Sequence, residues 1–451
     1  MDDARAATHT EARGDRRLHE IVVVGGGAGG LELATRLGER FGKPRRARIT
    51  LVEKARAHVW KPLLHSIAAG SLDRAQHEFD YLAQAHWHGF TYHFGPMTGL
   101  DRAARSVLLG ATEDEEGRQI TASAAISYDT LVIAVGSVTN DFGTLGAAQF
   151  AVPLDTPDQA SRFHRRLLNA CLRANQQADP VRPGQLHIAI IGAGATGTEL
   201  AAELHRTVRA LVAYGLNRID PERDIHIVLL DGAERILPAL PERISGAAAD
   251  LLRGLEVEIR TRARVREVRA DGVVLADGDF VPAELVVWSA GVKAPDFLGG
   301  LDGLEVNRLN QLVVLPTLQT RGDPDIFAIG DCASVPREGY SASVPPRAQA
   351  AHQEAAHMVG QIRSRLTQGE LRPFTYRDFG SLVSLGTYST VGSLMGLLSG
   401  KNLFVEGYFA RLMYRSLYLM HQSALLGHRA ALWGAVLRGL VAGPKPEVKL
   451  H

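Results

Sequence analysis

Cysteine is scarce in this 451-residue chain, which contains only Cys171 and Cys332. The two residues are far apart in the sequence and form no CxxC or similar spacing, so the sequence suggests neither a disulfide framework nor a zinc ribbon. A redox-active disulfide is likewise removed from the candidate chemistry. This cysteine usage fits a protein of the reducing cytoplasm.

Net charge and long apolar runs are also lacking. The formal net charge is only +1, so no overall field attracts nucleic acid and we expect no nucleic-acid partner. The uncharged stretch 379–400 is rich in Ser, Gly and Thr and has no window of about 18 predominantly apolar residues, so a spanning helix is not supported. Residues 1–18 are charged without an apolar core and predict a mobile leader, not a signal peptide.

What the chain does have is glycine, at 46 positions, in an ordinary globular α/β composition long enough for at least two domains. Residues 20–37 read as a buried strand, a glycine turn and a helix, with the GxGxxG positions at Gly25, Gly27 and Gly30. Such a turn brings backbone and helix N-terminus to a pyrophosphate, and Glu53, ending the next strand, is placed to bind a ribose. The alternative is a tight turn without a ligand.

The pattern of strand, glycine turn and helix returns at residues 186–211, with glycines at Gly192, Gly194 and Gly197. Asp231 would be the terminal acid, although it lies further from the glycines than the usual ~20 residues. A carboxylate at the ribose disfavours a 2′-phosphate, so NADH should be preferred to NADPH. The run 285–291, ending in Gly291, completes this second nucleotide unit.

Two further segments have the shape of strand ends that close over a flavin. In residues 128–137, Ala134 and Gly136 resemble an ATG-like motif of two-dinucleotide oxidoreductases, and in residues 325–333, Asp331 resembles the acid of their GD motif. That resemblance implies that Asp331 binds the ribityl and phosphate region of FAD. Either segment alone could be a core strand with a polar cap.

The segment Ala348-Gln349-Ala350-Ala351-His352-Gln353 matches the AQxAxQ pattern of type II NADH:quinone oxidoreductases. The resemblance implies that Ala348 and Gln349 contact FAD and that Gln349 and Gln353, at helical i,i+4 spacing, line a quinone pocket. Without it, two glutamines on a helix would more often be solvated surface.

Glu199, two residues past Gly197, resembles a family position close to nicotinamide and flavin. A carboxylate there could relay protons or hold the nicotinamide, since quinol formation involves proton uptake. The alternative is an acid that only complements the helix dipole.

The tail from residue 379 closely resembles that of the enterobacterial respiratory members of the family, except that Phe379 stands where many members have a basic residue. From 401 to 451 there are seven basic residues against two acidic ones. Helical spacing predicts an apolar face of Phe409, Leu412, Met413, Leu417 and Met420. Cations beside such a face are typical of a membrane surface, although amphipathic helices also pack on their own protein.

The resemblance implies an α/β two-dinucleotide-binding-domain flavoprotein of glutathione-reductase-like fold, with a C-terminal membrane-binding subdomain. We expect an FAD-binding domain at 19–155 and 305–372, an NADH-binding domain at 156–304 and the subdomain at 373–451. One non-covalent FAD would pass two electrons from NADH to a membrane quinone without proton pumping. The enzyme would be peripheral on the cytoplasmic face of the inner membrane, and a homodimer is an assembly that we allow for.

Two alternative functions stay open. A sulfide:quinone reductase of similar fold would need a reactive cysteine pair, for which Cys171 and Cys332 are poorly placed. A nucleotide-binding redox sensor or scaffold would bind FAD and NADH without turnover. We expect no metal site, because the histidines of HWHGFTYH (His86, His88 and His93) have no cysteine or acid ligand nearby in the sequence.

Overall fold

The computed structural model describes residues 17–385, 389–395, 402–406, 408–427, 432–433 and 448–449. The predicted leader at 1–18 therefore lies outside the described residues, except for its last two positions.

The first part of the chain contains the elements of one sheet and its covering helices. The helices are α1 (Ala28–Leu37), α2 (Leu64–Ala69), α3 (Tyr81–His88) and α4 (Ala147–Phe150). The strands are β1 (His19–Val24), β2 (Ala47–Glu53), β3 (Ala57–Val59), β4 (Glu78–Asp80), β5 (Thr91–Phe94), β6 (Met97–Asp101), β7 (Ser106–Leu109), β8 (Thr112–Glu113), β9 (Gln119–Thr121), β10 (Ala124–Ser127), β11 (Thr130–Ile133), β12 (Val138–Thr139) and β13 (Ala151–Pro153).

The middle part begins with α5 (Pro157–Gln176), which starts there because Thr156 and Gln159 form a capping box and Pro157 fits the first turn. The further helices are α6 (Ala195–Ala213), α7 (Pro221–Asp224) and α8 (Glu242–Gly254). The strands are β14 (Ile188–Ile191), β15 (Ile227–Leu230), β16 (Glu258–Arg260), β17 (Val265–Arg269), β18 (Gly272–Leu275), β19 (Phe280–Pro282), β20 (Leu285–Trp288) and β21 (Val292–Lys293).

The last part returns to the first sheet and then forms a separate antiparallel sheet. Its elements are β22 (Leu312–Val313), β23 (Ile326–Ala328), β24 (Ala333–Ser334), α9 (Ala348–Leu366), β25 (Ser381–Leu385), β26 (Ser389–Met395), β27 (Asn402–Glu406) and α10 (Tyr408–Leu426). Strands β25, β26 and β27 pair in that order. Among the described ranges, no helix is both long and apolar enough to cross a membrane.

The chain builds the same sheet twice. One five-stranded sheet has the order β23-β11-β1-β2-β5 and the other β13-β20-β14-β15-β16, and every pairing in both is parallel. Each sheet has a three-stranded antiparallel companion, β10-β7-β6 in one case and β17-β18-β19 in the other. This duplication is the α/β architecture with two Rossmann-like units that the sequence predicts.

The central strands are buried along their whole apolar run because helices cover both faces of a parallel sheet. Residues 21–24 of β1 and 188–191 of β14 are all buried. The C-terminal part is anchored on both units: Val383 and Leu385 of β25 join the core around β14, and Leu425 of α10 joins the core around β1. Elements from the end of the chain therefore pack against the cores of both units.

Candidate active site

The first glycine turn follows β1, and its three glycines have different surroundings. Gly25 has φ +102°, and a Cβ on it would lie 2.4 Å from the carbonyl oxygen of Ala134. A Cβ on Gly30 would lie 1.9 Å from the carbonyl oxygen of Gly25, so α1 can pack on β1 only with glycine there. A Cβ on Gly27 would meet nothing within 4 Å. Gly27 therefore borders open space at the N-terminus of α1, where a pyrophosphate would approach.

The second turn repeats this geometry after β14. Gly192 has φ +104°, with a Cβ position 2.5 Å from the backbone nitrogen of Ala290, and a Cβ on Gly197 would lie 2.0 Å from the carbonyl oxygen of Gly192. Gly194 again borders open space. Each of the two equivalent sheets therefore has, after its central strand, a loop with two closely packed glycines and one glycine that borders open space.

The acids at the strand ends make matching contacts. Glu53 accepts hydrogen bonds from the N–H of Gly26 at 2.6 Å and of Ala55 at 3.0 Å. Asp231 accepts from the N–H of Ala193 at 2.6 Å and of Ala233 at 2.7 Å. The structure therefore brings Asp231 to its glycine turn despite the long spacing, because the longer helix α6 and the connection through α7 lead back to the same strand position.

The segments predicted to close over the flavin meet at one place. Gly136 has φ +70° and follows Ala134, while the hydroxyl of the next residue, Ser137, donates to Asp331 at 2.7 Å. Lys61 donates from Nζ to the carbonyl oxygen of Ser137 at 2.9 Å. Sequence reasoning missed Lys61, because it follows β3 and belongs to no glycine or acid motif. In the second unit, Gly291 has φ +66° at the position that corresponds to Gly136.

A buried acid on α9 stabilises the turn that carries Asp331 by a hydrogen bond. Glu354 is 1% exposed and accepts a hydrogen bond from the N–H of Gly330 at 2.5 Å. Burial raises the pKa of Glu354 to about 8, with the Gly330 N–H opposing the shift. Sequence reasoning also missed Glu354, although it directly follows Gln353.

The glutamines of the AQxAxQ motif are half-buried and form hydrogen bonds with backbone atoms. Ala348 is the first residue of α9 and is also half-buried. Gln349 donates to the carbonyl oxygen of Gly380 at 2.9 Å and accepts from the N–H of Phe379 at 3.2 Å. Gln353 makes the same pair of bonds to Arg377, at 2.9 and 3.0 Å. The two side chains therefore fix the segment that leads into β25.

Glu199 lies beneath β25 and is 5% exposed. Its Oε1 accepts from the N–H of Ser384 at 2.8 Å, and its Oε2 lies 3.4 Å from Nδ1 of His65. Ser384 is four residues beyond Gly380, so β25 runs from the Gln349 contact to the Glu199 contact. A burial this deep distinguishes Glu199 from a solvated acid at a helix terminus.

The two cysteines are buried, and their thiols are expected to be unreactive. Burial raises the pKa of the Cys171 thiol and of the Cys332 thiol to about 12 in each case. Thiolate is the reactive form, so neither cysteine suits nucleophilic attack or the formation of a redox-active disulfide. Within the described ranges, no three His, Cys, Asp or Glu side chains are grouped to hold a metal ion.

Helix α10 faces the protein with His421, Gln422 and Leu425, which are buried. Of the predicted apolar face, Met420 is exposed and Leu417 half-buried, while the side chains of Phe409, Leu412 and Met413 lie outside the described part of the chain. Leu432 and Trp433 are 63% and 65% exposed. The predicted basic tail is described at Lys449, which pairs with Asp73 at 2.6 Å.

Comparison with known proteins agrees with this geometry. Residues 19–355 match the family described as pyridine nucleotide-disulphide oxidoreductase. The type II NADH:quinone oxidoreductase of Haemophilus influenzae is 40% identical over 446 residues, covering 96% of this chain and all of that protein. The Mycobacterium tuberculosis enzyme Ndh, also named a type II NADH:quinone oxidoreductase, is 30% identical over 84% of this chain and 80% of its own length.

Solved structures share the fold at lower identity. NDH2 from Plasmodium falciparum, in complex with NADH, superposes with a TM-score of 0.80 at 19% identity, covering 96% of this chain and all of that one. The sulfide:quinone oxidoreductase of Aquifex aeolicus gives a TM-score of 0.66 at 17% identity, covering 95% and 96%.

The duplicated sheets with their two glycine turns define the class, a two-dinucleotide-binding-domain oxidoreductase of the pyridine nucleotide-disulphide type. Within that class, the chain belongs to the type II NADH:quinone oxidoreductases. The fold class and the family predicted from the sequence are both confirmed.

Proposed function

We propose that this chain oxidises NADH and reduces a membrane quinone through one non-covalently bound FAD, without pumping protons. The observation that carries the proposal is the repeated turn geometry, with Glu53 and Asp231 held in the same two hydrogen bonds beside open glycines. Two dinucleotides are what such a pair of sites would bind. The named activity of the Haemophilus influenzae relative supports the direction of electron flow.

The first turn fits FAD. Gly25, Gly27 and Gly30 would admit the pyrophosphate at the N-terminus of α1, and Glu53 would bind the ribose. Asp331, with Ala134, Gly136 and Ala348 around it, would bind the ribityl and flavin side. When bound, the flavin supplies the hydride and electron chemistry, while the protein supplies position and electrostatics.

The second turn fits NADH as substrate. Gly192, Gly194 and Gly197 would receive its pyrophosphate, Asp231 its ribose, and Gly291 with Glu199 would border the nicotinamide end. The carboxylate of Asp231 supports NADH over NADPH, because a 2′-phosphate would meet a like charge at short range. Under this proposal, the FAD-binding domain is 19–155 and 305–372, and the NADH-binding domain is 156–304.

Gln349 and Gln353 are proposed to line the quinone pocket. They hold the segment 377–380, whose Phe379 is exposed beside them. An apolar exposed ring next to half-buried amides suits an amphiphilic quinone head group, which needs both apolar surface and hydrogen-bond donors.

The subdomain at 373–451 is proposed to rest on the cytoplasmic face of the inner membrane. Exposed Met420, Leu432 and Trp433 support this placement, since aromatic and apolar side chains favour the membrane interface. A peripheral attachment also explains the proposed lack of proton pumping, which vesicle measurements of proton movement during turnover would test. Sedimentation in mild detergent would decide between a monomer and a homodimer.

A sulfide:quinone reductase is disfavoured by the two unreactive thiols, and sulfide-dependent quinone reduction that disappears on changing either cysteine would revive it. A non-catalytic redox sensor would bind both nucleotides yet show no steady-state oxidation of NADH with a soluble quinone.

The deciding experiment is anaerobic mixing of the purified protein with NADH and then with a short-chain quinone, following absorbance at about 450 nm, where oxidised flavin absorbs. Bleaching by NADH followed by recovery on adding quinone is the expected result. Bleaching without recovery would remove quinone as the acceptor, and no bleaching would overturn the proposal. Release of the flavin by denaturation and its chromatographic identification would test non-covalent FAD.

A further inference from the structure

His65 of α2 lies between two carboxylates of α6. Its Nδ1 is 3.4 Å from Oε2 of Glu199, and its Nε2 is 3.5 Å from Oε1 of Glu203. The side chains of all three residues are more than nine-tenths buried. Glu199 and Glu203 share one face of α6 because residues four apart on a helix are neighbours. Three titratable groups therefore form one buried cluster.

The two carboxylates have different hydrogen-bond donors. Glu203 accepts from the hydroxyl of Ser66 at 2.9 Å and from the hydroxyl of Ser71. Glu199 accepts only the N–H of Ser384 besides its contact with His65 in the described part of the chain. Hydrogen bonds to a carboxylate favour its charged form, so Glu203 is the better stabilised anion of the two.

The electrostatics follow from this asymmetry. Burial alone would lower the pKa of His65, but the two carboxylates raise it to about 9. For Glu203, His65 and the serine hydroxyls outweigh burial and lower its pKa. Burial raises the pKa of Glu199 to about 7, with His65 opposing and Glu203 adding to the shift. These directions favour an ion pair between His65 and Glu203, and they leave Glu199 as the carboxyl group that most readily holds a proton.

On α6 itself, Arg206 lies three residues beyond Glu203, with its Nε buried. Among the described charges, only His65, Glu199 and Glu203 themselves shift the pKa values of these three groups by their charge. Strand β25 contributes no titratable side chain to it. Helix α5 contributes His164, which lies against Gly70, contacts the carbonyl oxygen of Lys449, and has its pKa lowered by burial. Asp73, in the turn after α2, is paired with Lys449. The protonation of Glu199 therefore depends on His65 and Glu203.

We propose that the buried ion pair of His65 and Glu203 controls the protonation of Glu199 and so positions the proton consumed in turnover. This inference rests on the proposed function, whose balance is NADH + quinone + H⁺ giving NAD⁺ + quinol. The hydride of NADH supplies two electrons and one proton. The second proton comes from solvent, and the Glu199 carboxyl is the group proposed to hold it before an O–H bond forms on the quinone oxygen.

Two substitutions in the full-length holoprotein test the inference because they act in opposite directions. His65→Gln removes the cation beside Glu199 and should move the midpoint of its titration up by about one pH unit or more, as expected for loss of an opposite charge at this range. Glu203→Gln removes the neighbouring anion and should move the midpoint down. Loss of a purely structural contact would not reverse sign between the two variants.

The titration is read in two ways. One is the infrared carbonyl band of a protonated buried carboxyl group, assigned by its disappearance in Glu199→Gln. The other is the pH profile of quinone-dependent NADH oxidation. Asp250→Asn, an exposed change on α8, is the control and should shift neither.

Shifts of the same sign, or no shift in either variant, would overturn the inference. If His65→Gln fails to fold, the downward shift in Glu203→Gln alone decides. The infrared titration does not require turnover, so an inactive wild-type protein would refute the proposed function while leaving the control of Glu199 by its neighbours open to measurement.

Discussion

Gln349 pairs with Gly380 as a neighbouring strand would, donating from its side-chain amide to the Gly380 carbonyl at 2.9 Å. Gln353 repeats this one turn later on α9 with the backbone of Arg377. The segment so held enters β25, whose Ser384 N–H reaches Glu199. The two glutamines thus connect, through one stretch of backbone, the proposed quinone pocket with the proposed proton-carrying acid.

Gln349→Ala and Gln353→Ala should impair quinone reduction more than flavin reduction by NADH, because both remove the support of the segment bordering the pocket. We expect a loss of about tenfold or more in the oxidative half-reaction, equivalent to about one buried hydrogen bond. Rapid mixing measures the two half-reactions separately. Gln361→Ala is the matched control, since Gln361 holds the backbone of Arg372 in the same way but further along α9. Equal loss in both half-reactions would argue against the pocket.

Substitutions at two glycines of the first turn should affect different properties, because Gly27 borders open space while Gly30 packs against backbone. One should impair flavin binding and the other folding. Gly27→Ala has room for its methyl group and should leave a folded protein with much less flavin, whereas Gly30→Ala would force Cβ against the Gly25 carbonyl and should prevent stable folding. Circular dichroism and the ratio of flavin to protein would separate the two effects. Full flavin content in a folded Gly27→Ala protein would contradict the assignment. In the second turn, Gly194→Ala should likewise leave a folded protein that binds NADH less tightly, whereas Gly197→Ala should prevent stable folding.

These glycine turns could be predicted from sequence because each is local, with strand, turn and helix contiguous in the chain. The strand ends at 128–137 and 325–333 were also predictable, since buried apolar runs stop at a glycine or an acid. Lys61, Glu354 and His65 were not, because each reaches the site from another element by tertiary packing. Asp231 was partly predictable. The strand that it follows was evident from the sequence, but the length of α6 made its position relative to the glycines harder to predict.

Asp231 should determine the preference for NADH. Asp231→Asn removes the charge that would repel a 2′-phosphate, so the ratio of kcat/KM for NADH to that for NADPH should fall by about tenfold or more, as a change of about 1.4 kcal/mol would give. Steady-state kinetics with both nucleotides measures it. Glu234→Gln, an exposed change three residues on, is the control. An unchanged ratio in Asp231→Asn would place the ribose elsewhere.

We expect the packing of α10 to be sensitive to acid because it includes a buried histidine pair. His58 and His421 lie with their Nε2 atoms 3.0 Å apart, and both are buried. Burial lowers the pKa of His58 to about 4, and burial together with His58 lowers the pKa of His421 well below its usual range. The unfolded chain takes up protons below pH ~6.5 while the folded pair does not, so stability present above that pH is lost as pH falls toward 4.

From pH 7 to pH 5, His58 alone should contribute a loss of about 2 kcal/mol in the free energy of unfolding. Replacing both residues, in His58→Leu with His421→Leu, should flatten this dependence, since an apolar pair cannot take up protons. Denaturant unfolding at several pH values measures the slope. His86→Gln, on the exposed side of α3, is the control. An unchanged slope in the double variant would assign the acid sensitivity to other groups.

Attachment to the membrane should depend on Leu432 and Trp433, the exposed pair near the end of the chain. Moving such side chains from water into the interface contributes about 1.5–3 kcal/mol each, so Leu432→Ser with Trp433→Ser should weaken binding to anionic vesicles by more than about tenfold. Trp87→Ser is the matched control, because Trp87 is similarly exposed but lies on α3. Vesicle flotation at two salt concentrations separates the apolar from the electrostatic contribution, since only the latter weakens with salt. Equal weakening by the control would mean that general surface apolarity, and not the tail, holds the protein to lipid.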